Sequence, residues 1–68
     1  MKGYITIYEI YTYTDHNNQI LSEISFSIYY EDGQTISTKI IMSAFRTSHN
    51  EMVEKIKEYF KGDLYYKY

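Results

Sequence analysis

The sequence predicts an α+β fold: a three-stranded antiparallel meander, then one C-terminal helix packed on one face of the sheet, then a short Tyr-rich tail. Three observations carry this. Three stretches rich in β-branched and aromatic residues (4–14, 20–30 and 35–42) are separated by turn-forming clusters. Near the end, Ser48-His49-Asn50-Glu51 has the form of a helix start and precedes an apolar stripe at helical spacing. The whole is 68 residues, enough for one domain spanning 1–68 and too short for two cores.

The second and third stretches alternate. Ile20, Ile24, Phe26, Ile28 and Tyr30 occupy even positions, with Glu23, Ser25 and Ser27 between them; Ile36, Thr38, Ile40 and Met42 do the same against Thr35, Ser37 and Lys39. Even residues should therefore face the core in both strands. Residues opposite one another share a face, so the connecting loop must keep parity. A two-residue Asp32-Gly33 turn would set Ile28 against Ser37. A three-residue Glu31-Asp32-Gly33 loop with Gly33 left-handed sets Ile28 against Ile36 and Ile24 against Ile40, and is the one expected.

The first stretch breaks the pattern. Its even face carries Tyr4, Thr6, Tyr8, Ile10 and Thr12; its odd face carries Ile5, Ile7, Glu9, Tyr11 and Tyr13. A five-residue loop of residues 15–19 keeps even parity and pairs Ile10 with Ile24 and Tyr8 with Phe26. A turn at Asn17-Asn18 would put Glu9 opposite Phe26, in the core. The first register is preferred, and it leaves Ile5, Ile7, Tyr11 and Tyr13 as an apolar patch on the second face.

In the helix, Ser48 is the expected N-cap and Glu51 its reciprocal partner. Met52, Val53, Ile56, Tyr59 and Phe60 form one stripe, Glu51 and Lys55 stand as an i,i+4 pair, and Gly62 ends the helix. The expected core is Tyr8, Ile10, Ile24, Phe26, Ile28, Ile36, Ile40, Met42, Val53, Ile56 and Phe60. The tail, Asp63-Leu64-Tyr65-Tyr66-Lys67-Tyr68, is open to two readings: a fourth strand, or an arm across the sheet.

Composition excludes several chemistries. With no Cys there is no disulfide framework, Cys-ligated zinc site or thiol nucleophile. His16 and His49 fall in a turn and a helix cap, which provides neither a catalytic triad nor a metal-ligand set. Asp15 reads as the opener of an Asx turn. The three Gly are isolated, so no phosphate loop exists, and Glu51, Glu54 and Glu58 alternate with lysines as on a solvated face. No cofactor, metal or catalytic residue is expected, and the chain reads as a non-enzyme. The start lacks the basic end and apolar run of a signal peptide, and no apolar run reaches the ~20 residues of a membrane span; the expected compartment is the cytoplasm of the producing or infected cell.

Ten tyrosines are the one unusual feature. Tyr adds rigid contact area with a polar tip and is enriched at interface hot spots. The expected partner or dimer interface is Ile5, Ile7, Glu9, Tyr11, Tyr13, Tyr29, Tyr65, Tyr66 and Tyr68. Glu9 reads either as an edge-strand charge that blocks strand addition or as a polar contact inside that interface. Two partner classes compete for the surface. Single-stranded nucleic acid stacks bases on sheet aromatics but needs cations for phosphate, and here the net charge is −2 with a single Arg. A protein partner needs no such charge and ranks first, with nucleic acid as the alternative. A composition rich in Tyr, Ile, Lys and Asn indicates AT-rich coding, as in low-GC bacteria, their phages or archaeal viruses. Small accessory proteins of such phages and viruses bind and inhibit host proteins, and that is the kind of function expected. Self-association as a homodimer is also expected, because a core this small is marginal alone and the second face of strand 1 is apolar.

Overall fold

Alternating side chains build a sheet with one face turned toward a single helix. The computed structural model describes residues 1–67. Four strands, β1 (Lys2–Thr14), β2 (Ile20–Tyr30), β3 (Thr35–Ser43) and β4 (Asp63–Tyr66), are joined by a 3-10 turn (Ala44–Arg46) and helix α1 (His49–Tyr59). The sheet order is β3-β2-β1-β4. The meander is present as expected, but the sheet is mixed and has a fourth strand: β4 runs parallel to β1, from Lys2 opposite Asp63 to Ile5 opposite Tyr66. Parallel strands need a crossover, because a tight turn only reverses the chain. β3 and β4 point the same way, and α1 is the segment that carries the chain across the sheet between them. β1 is therefore interior over its first residues and is not an edge strand there.

Both hairpins close by the same device. Tyr30 N–H donates to the Gln34 carbonyl and Gly33 N–H to the Tyr30 carbonyl; Asp15 N–H donates to the Gln19 carbonyl and Asn18 N–H to the Asp15 carbonyl. Each is a three-residue loop whose last residue is left-handed, Gly33 at φ +93° and Asn18 at φ +62°. The second loop sets Ile28 opposite Ile36 and Ile24 opposite Ile40, as expected. The first is tighter than expected, closed by Asp15 and Gln19 into three residues and not five, but it keeps the expected register, with Thr14 opposite Ile20 and Ile10 opposite Ile24.

That register fails at Tyr8. A β-bulge lies between Ile7 and Glu9, so Ile7, and not Tyr8, stands opposite Phe26, and Ile5 stands opposite Ile28. One extra residue inverts the parity of everything before it. This explains why β1 is apolar on both faces in sequence: its inward residues are odd before the bulge and even after it. The expected second-face patch of Ile5, Ile7, Tyr11 and Tyr13 is thereby split. Ile5 is fully buried in the core and Ile7 packs against it, while Tyr11 and Tyr13 stay on the far face. Tyr8, placed in the core by sequence, is 62 % exposed, and Ile10 is 48 % exposed.

The core is Ile5, Phe26, Ile28, Val53, Ile56 and Leu64, with Ile7, Tyr30, Ile36, Ile40, Phe60 and Tyr66 packed around it. Each buried aliphatic side chain contributes about 1.5–3 kcal/mol. Phe60 meets Phe26 edge to face at 5.6 Å. Ser27 is also buried, on the opposite face, where it shares a 2.8 Å hydroxyl bond with Ser37; Ser22 is buried against a 3.0 Å bond to Thr12. At the helix start Ser48 Oγ accepts from Glu51 N–H and donates to Glu51 Oε1. With Glu51 so engaged, the helix ion pairs are Lys55–Glu58 and Lys57–Glu54, not Glu51–Lys55. The helix ends earlier than expected: Phe60 is already extended at φ −125°, ψ 143°, and Gly62, left-handed at φ +107°, turns the chain so that Asp63 N–H bonds the Met1 carbonyl at 2.8 Å to start β4.

Candidate interaction surface

The face of the sheet turned away from α1 is built of transverse rows, because paired residues on neighbouring strands share a side. From one end of the sheet to the other, the first row is Tyr65-Tyr4-Tyr29-Thr35, the second Thr6-Ser27-Ser37, the third Glu9-Ser25-Lys39, the fourth Tyr11-Glu23-Ile41 and the fifth Tyr13-Leu21-Ser43. Two aromatic banks thus flank a trough of short hydroxyl side chains.

In the first bank the Tyr4 and Tyr29 rings stack at 5.0 Å between centroids, and Tyr65 lies against Tyr4 at 6.2 Å. The Lys67 ammonium sits 4.7 Å above the Tyr4 ring, so the bank already holds one cation on its π-face. Tyr29 and Tyr65 are exposed. In the second bank Tyr11 and Tyr13 stack on each other at 5.8 Å, with Tyr11 exposed and Tyr13 half-buried. Between the banks Lys39 Nζ bonds Glu23 Oε1 at 2.9 Å. That hydrogen bond, and then the charge of Glu23, holds the Lys39 pKa above its ordinary value, with smaller contributions from Glu9 and Tyr8. Lys39 is thus partnered to a carboxylate; Lys2, opposite Asp63 just beyond the first row, is the other strand lysine on this side.

The structure brings Glu9, Tyr11, Tyr13, Tyr29 and Tyr65 of the expected interface onto one face. It separates the others from it. Ile5 and Ile7 are on the helix side, and so is Tyr66, whose ring stands edge-on to His49 at 4.4 Å. Tyr68 lies outside the described residues. Tyr4 belongs to the face and sequence reading missed it, because it sits at an even position ahead of the bulge. Its signal was Tyr29: any register that aligns the start of β1 with the end of β2 and places Tyr29 outward makes Tyr4 its neighbour.

The other candidates offer less. Asp15 Oδ1 accepts from Asn17 N–H and Gln19 N–H, the Asx turn expected. No group of three or more His, Cys, Asp or Glu side chains that could hold a metal occurs among the described residues. A groove of about 450 Å³ opens between the helix end and the second hairpin, lined mainly by Tyr30, Ile36, Tyr59 and Phe60. No helix among the described residues is long and apolar enough to cross a membrane. No family model matches the chain, and no curated protein or solved structure matches it.

Proposed function

We propose that this chain is a non-enzymatic protein-binding module whose contact surface is the outer sheet face. The observation that supports it best is the Tyr4-Tyr29-Tyr65 bank: three rings packed on one another, partly exposed, on the face α1 leaves uncovered. Rigid aromatic area beside a trough of hydroxyls suits a protein surface that inserts one bulky side chain between the banks. Glu9 and the π-faces favour a partner that presents Arg or Lys there. The module would act by occupying a partner's surface, as small phage and viral accessory proteins do when they inhibit a host protein, in the cytoplasm of the producing or infected cell. The test is affinity capture from an extract of that cell with the unaltered chain and with the Tyr29→Ala/Tyr65→Ala double variant. A specific protein retained by the first and lost by the second is expected. Identical captured sets would remove the outer face from the reading, and a turnover activity abolished by one substitution would replace the reading altogether.

A second reading keeps one specific observation in its favour. A tyrosine row with Lys67 beside it resembles a stacking platform for single-stranded nucleic acid. Against it, Lys39 is bonded to Glu23, and Glu9 adds a second carboxylate to the same face. Retention of a fluorescent oligonucleotide at low salt, lost as salt rises, would favour this reading over the first.

A further inference from the structure

We propose that the free edge of β1, residues 8–14, pairs antiparallel with the same edge of a second copy of the chain. β1 has 13 residues, yet β4 lies beside only residues 2–5, and the bond from Lys67 N–H to the Ile5 carbonyl is the farthest along that side among the described residues. Beyond it no other described strand pairs with β1 on that side. Backbone polarity there follows from the hairpin. Asp15 N–H donates to Gln19 across to β2, so by alternation Tyr13, Tyr11 and Glu9 also direct their backbone groups at β2. Ile10, Thr12 and Thr14 direct theirs outward, at an edge that carries no Pro and no charged side chain at those three positions. Tyr8, Ile10 and Tyr11 are all exposed along it.

The occupant follows from the register. A two-fold axis through Tyr11 sets Ile10 against Thr12 of the second copy, Tyr8 against Thr14, and Glu9 against Tyr13, whose phenol can donate to the carboxylate. Neighbouring registers fail. An axis at Glu9 opposes two Glu9 carboxylates, and an axis at Thr12 opposes Glu9 to Asp15. An axis at Ile10 drives Thr14 past Thr6 and its loop onto the Lys67 end of β4. Of the axes at residues 9 to 12, the one at Tyr11 alone is free of like-charge opposition and of collision with β4. An axis at Tyr13 is free of both but sets Tyr11 against Asp15 and Ile10 against the loop, so it pairs a shorter stretch of the edge. The axis at Tyr11 gives the fullest self-complementary ladder. The joined sheet has both outer faces on one side. This pairing uses backbone groups of the edge and does not depend on the partner reading of the tyrosine face.

Sedimentation equilibrium of the full chain at about 100 µM, a concentration that populates a micromolar dimer, is the first measurement: a mass twice that of one chain is expected, and the mass of one chain overturns the proposal. The chain has no Cys, so single cysteines report which surfaces meet. At the axis Tyr11 faces its copy as a non-hydrogen-bonded pair, with Cα atoms about 4.5 Å apart, inside the range that a disulfide spans. Mild oxidation should convert Tyr11→Cys to a covalent dimer nearly completely. Thr38→Cys is the matched probe at the centre of β3, whose outer edge is also unpaired; it should remain a monomer on denaturing gels. Cross-linking of Thr38→Cys instead would assign the dimer to β3. A dimer in which neither cysteine cross-links would exclude the Tyr11 register. Either result overturns the proposal.

Discussion

The two ends of this sheet are made of the same three strands and have opposite fates. At the end that holds Ile5, Phe26 and Ile28, the helix and β4 close a core in which all three are fully buried. At the other end, past the bulge, the inward-facing Ile10 and Ile20 are exposed, and Phe45 of the 3-10 turn is 81 % exposed. Length is the reason. The molecule extends 42 Å along its longest axis, whereas an 11-residue helix is about 16 Å long. One helix shields under half of a β1–β2–β3 ribbon, and the remainder stands as an arm in which the flanking strands are largely open while the central strand still buries Ser22 and Ile24. Hydrophobic patterning alone does not bury a residue: Ile10 and Ile24 face each other across the ladder, yet Ile24, on the central strand, is buried and Ile10, on the free edge, is not.

Emptying each end in turn should separate the two most widely. Phe26→Ala removes a fully buried ring that stands edge-on to Phe60 and should cost about 3–5 kcal/mol, close to the whole stability of so small a domain. Ile10→Ala, on the same face of the same sheet, should cost about 1 kcal/mol or less. Urea unfolding of both variants measures the difference, and equal midpoints would show that the arm is as well covered as the core.

The two left-handed glycines divide in the same way, with a smaller effect. Gly62 lies where helix, N-terminus and β4 converge, and a Cβ there would stand 2.7 Å from the Met1 carbonyl oxygen. Gly33 has a similar φ, +93° against +107°, but a Cβ there would meet nothing within 4 Å. Gly33→Ala should therefore cost only the left-handed penalty of about 1 kcal/mol, and Gly62→Ala about 2 kcal/mol or more. The second variant should also speed amide exchange at Asp63 and Lys67, whose hydrogen bonds tie β4 to β1. Unchanged exchange at both amides would mean that β4 docks independently of this turn.

These contrasts also mark where the sequence was legible. Strict alternation in β2 and β3, with Gly33 at the one loop position that tolerates φ +93°, fixes register without ambiguity, and the Ser48 cap with Met52, Val53 and Ile56 does the same for α1. β4 was harder to read because four residues carry little periodicity, and Leu64, its one buried residue, is isolated between polar and aromatic neighbours. The bulge left a trace that was misassigned. Apolar residues on both faces of one strand looked like a patch awaiting a cover, whereas a parity switch at Tyr8 accounts for Ile5, Ile7 and Ile10 together. Of the outer face, Glu9, Tyr11, Tyr13 and Tyr29 were found because residues after the bulge, and those on β2, keep simple parity, whereas Tyr65 came in with the whole Tyr-rich tail, whose Tyr66 lies on the helix side. Tyr4 was missed because it lies before the bulge.

The smallest expected effect tests that parity switch most directly. Tyr8 is the extra residue, exposed and without a cross-strand partner in the ladder. Deleting it makes Ile7 and Glu9 adjacent, and they already stand opposite the adjacent residues Phe26 and Ser25. Every inward residue of β1 then stays inward and every outward residue stays outward, so ΔTyr8 should lose under about 1 kcal/mol and give an amide spectrum with native dispersion. Deleting Tyr11, only three positions on, has the opposite logic. There is no spare residue in that ladder, so Thr12 turns outward and Tyr13 turns inward. The 3.0 Å bond between Thr12 and the buried Ser22 is lost, and a buried hydroxyl left without its partner costs about 1–3 kcal/mol. Urea midpoints for the two deletions should therefore fall in the order ΔTyr8 above ΔTyr11. The reverse order would mean that the bulge holds β1 in place and is more than the point at which its two faces exchange.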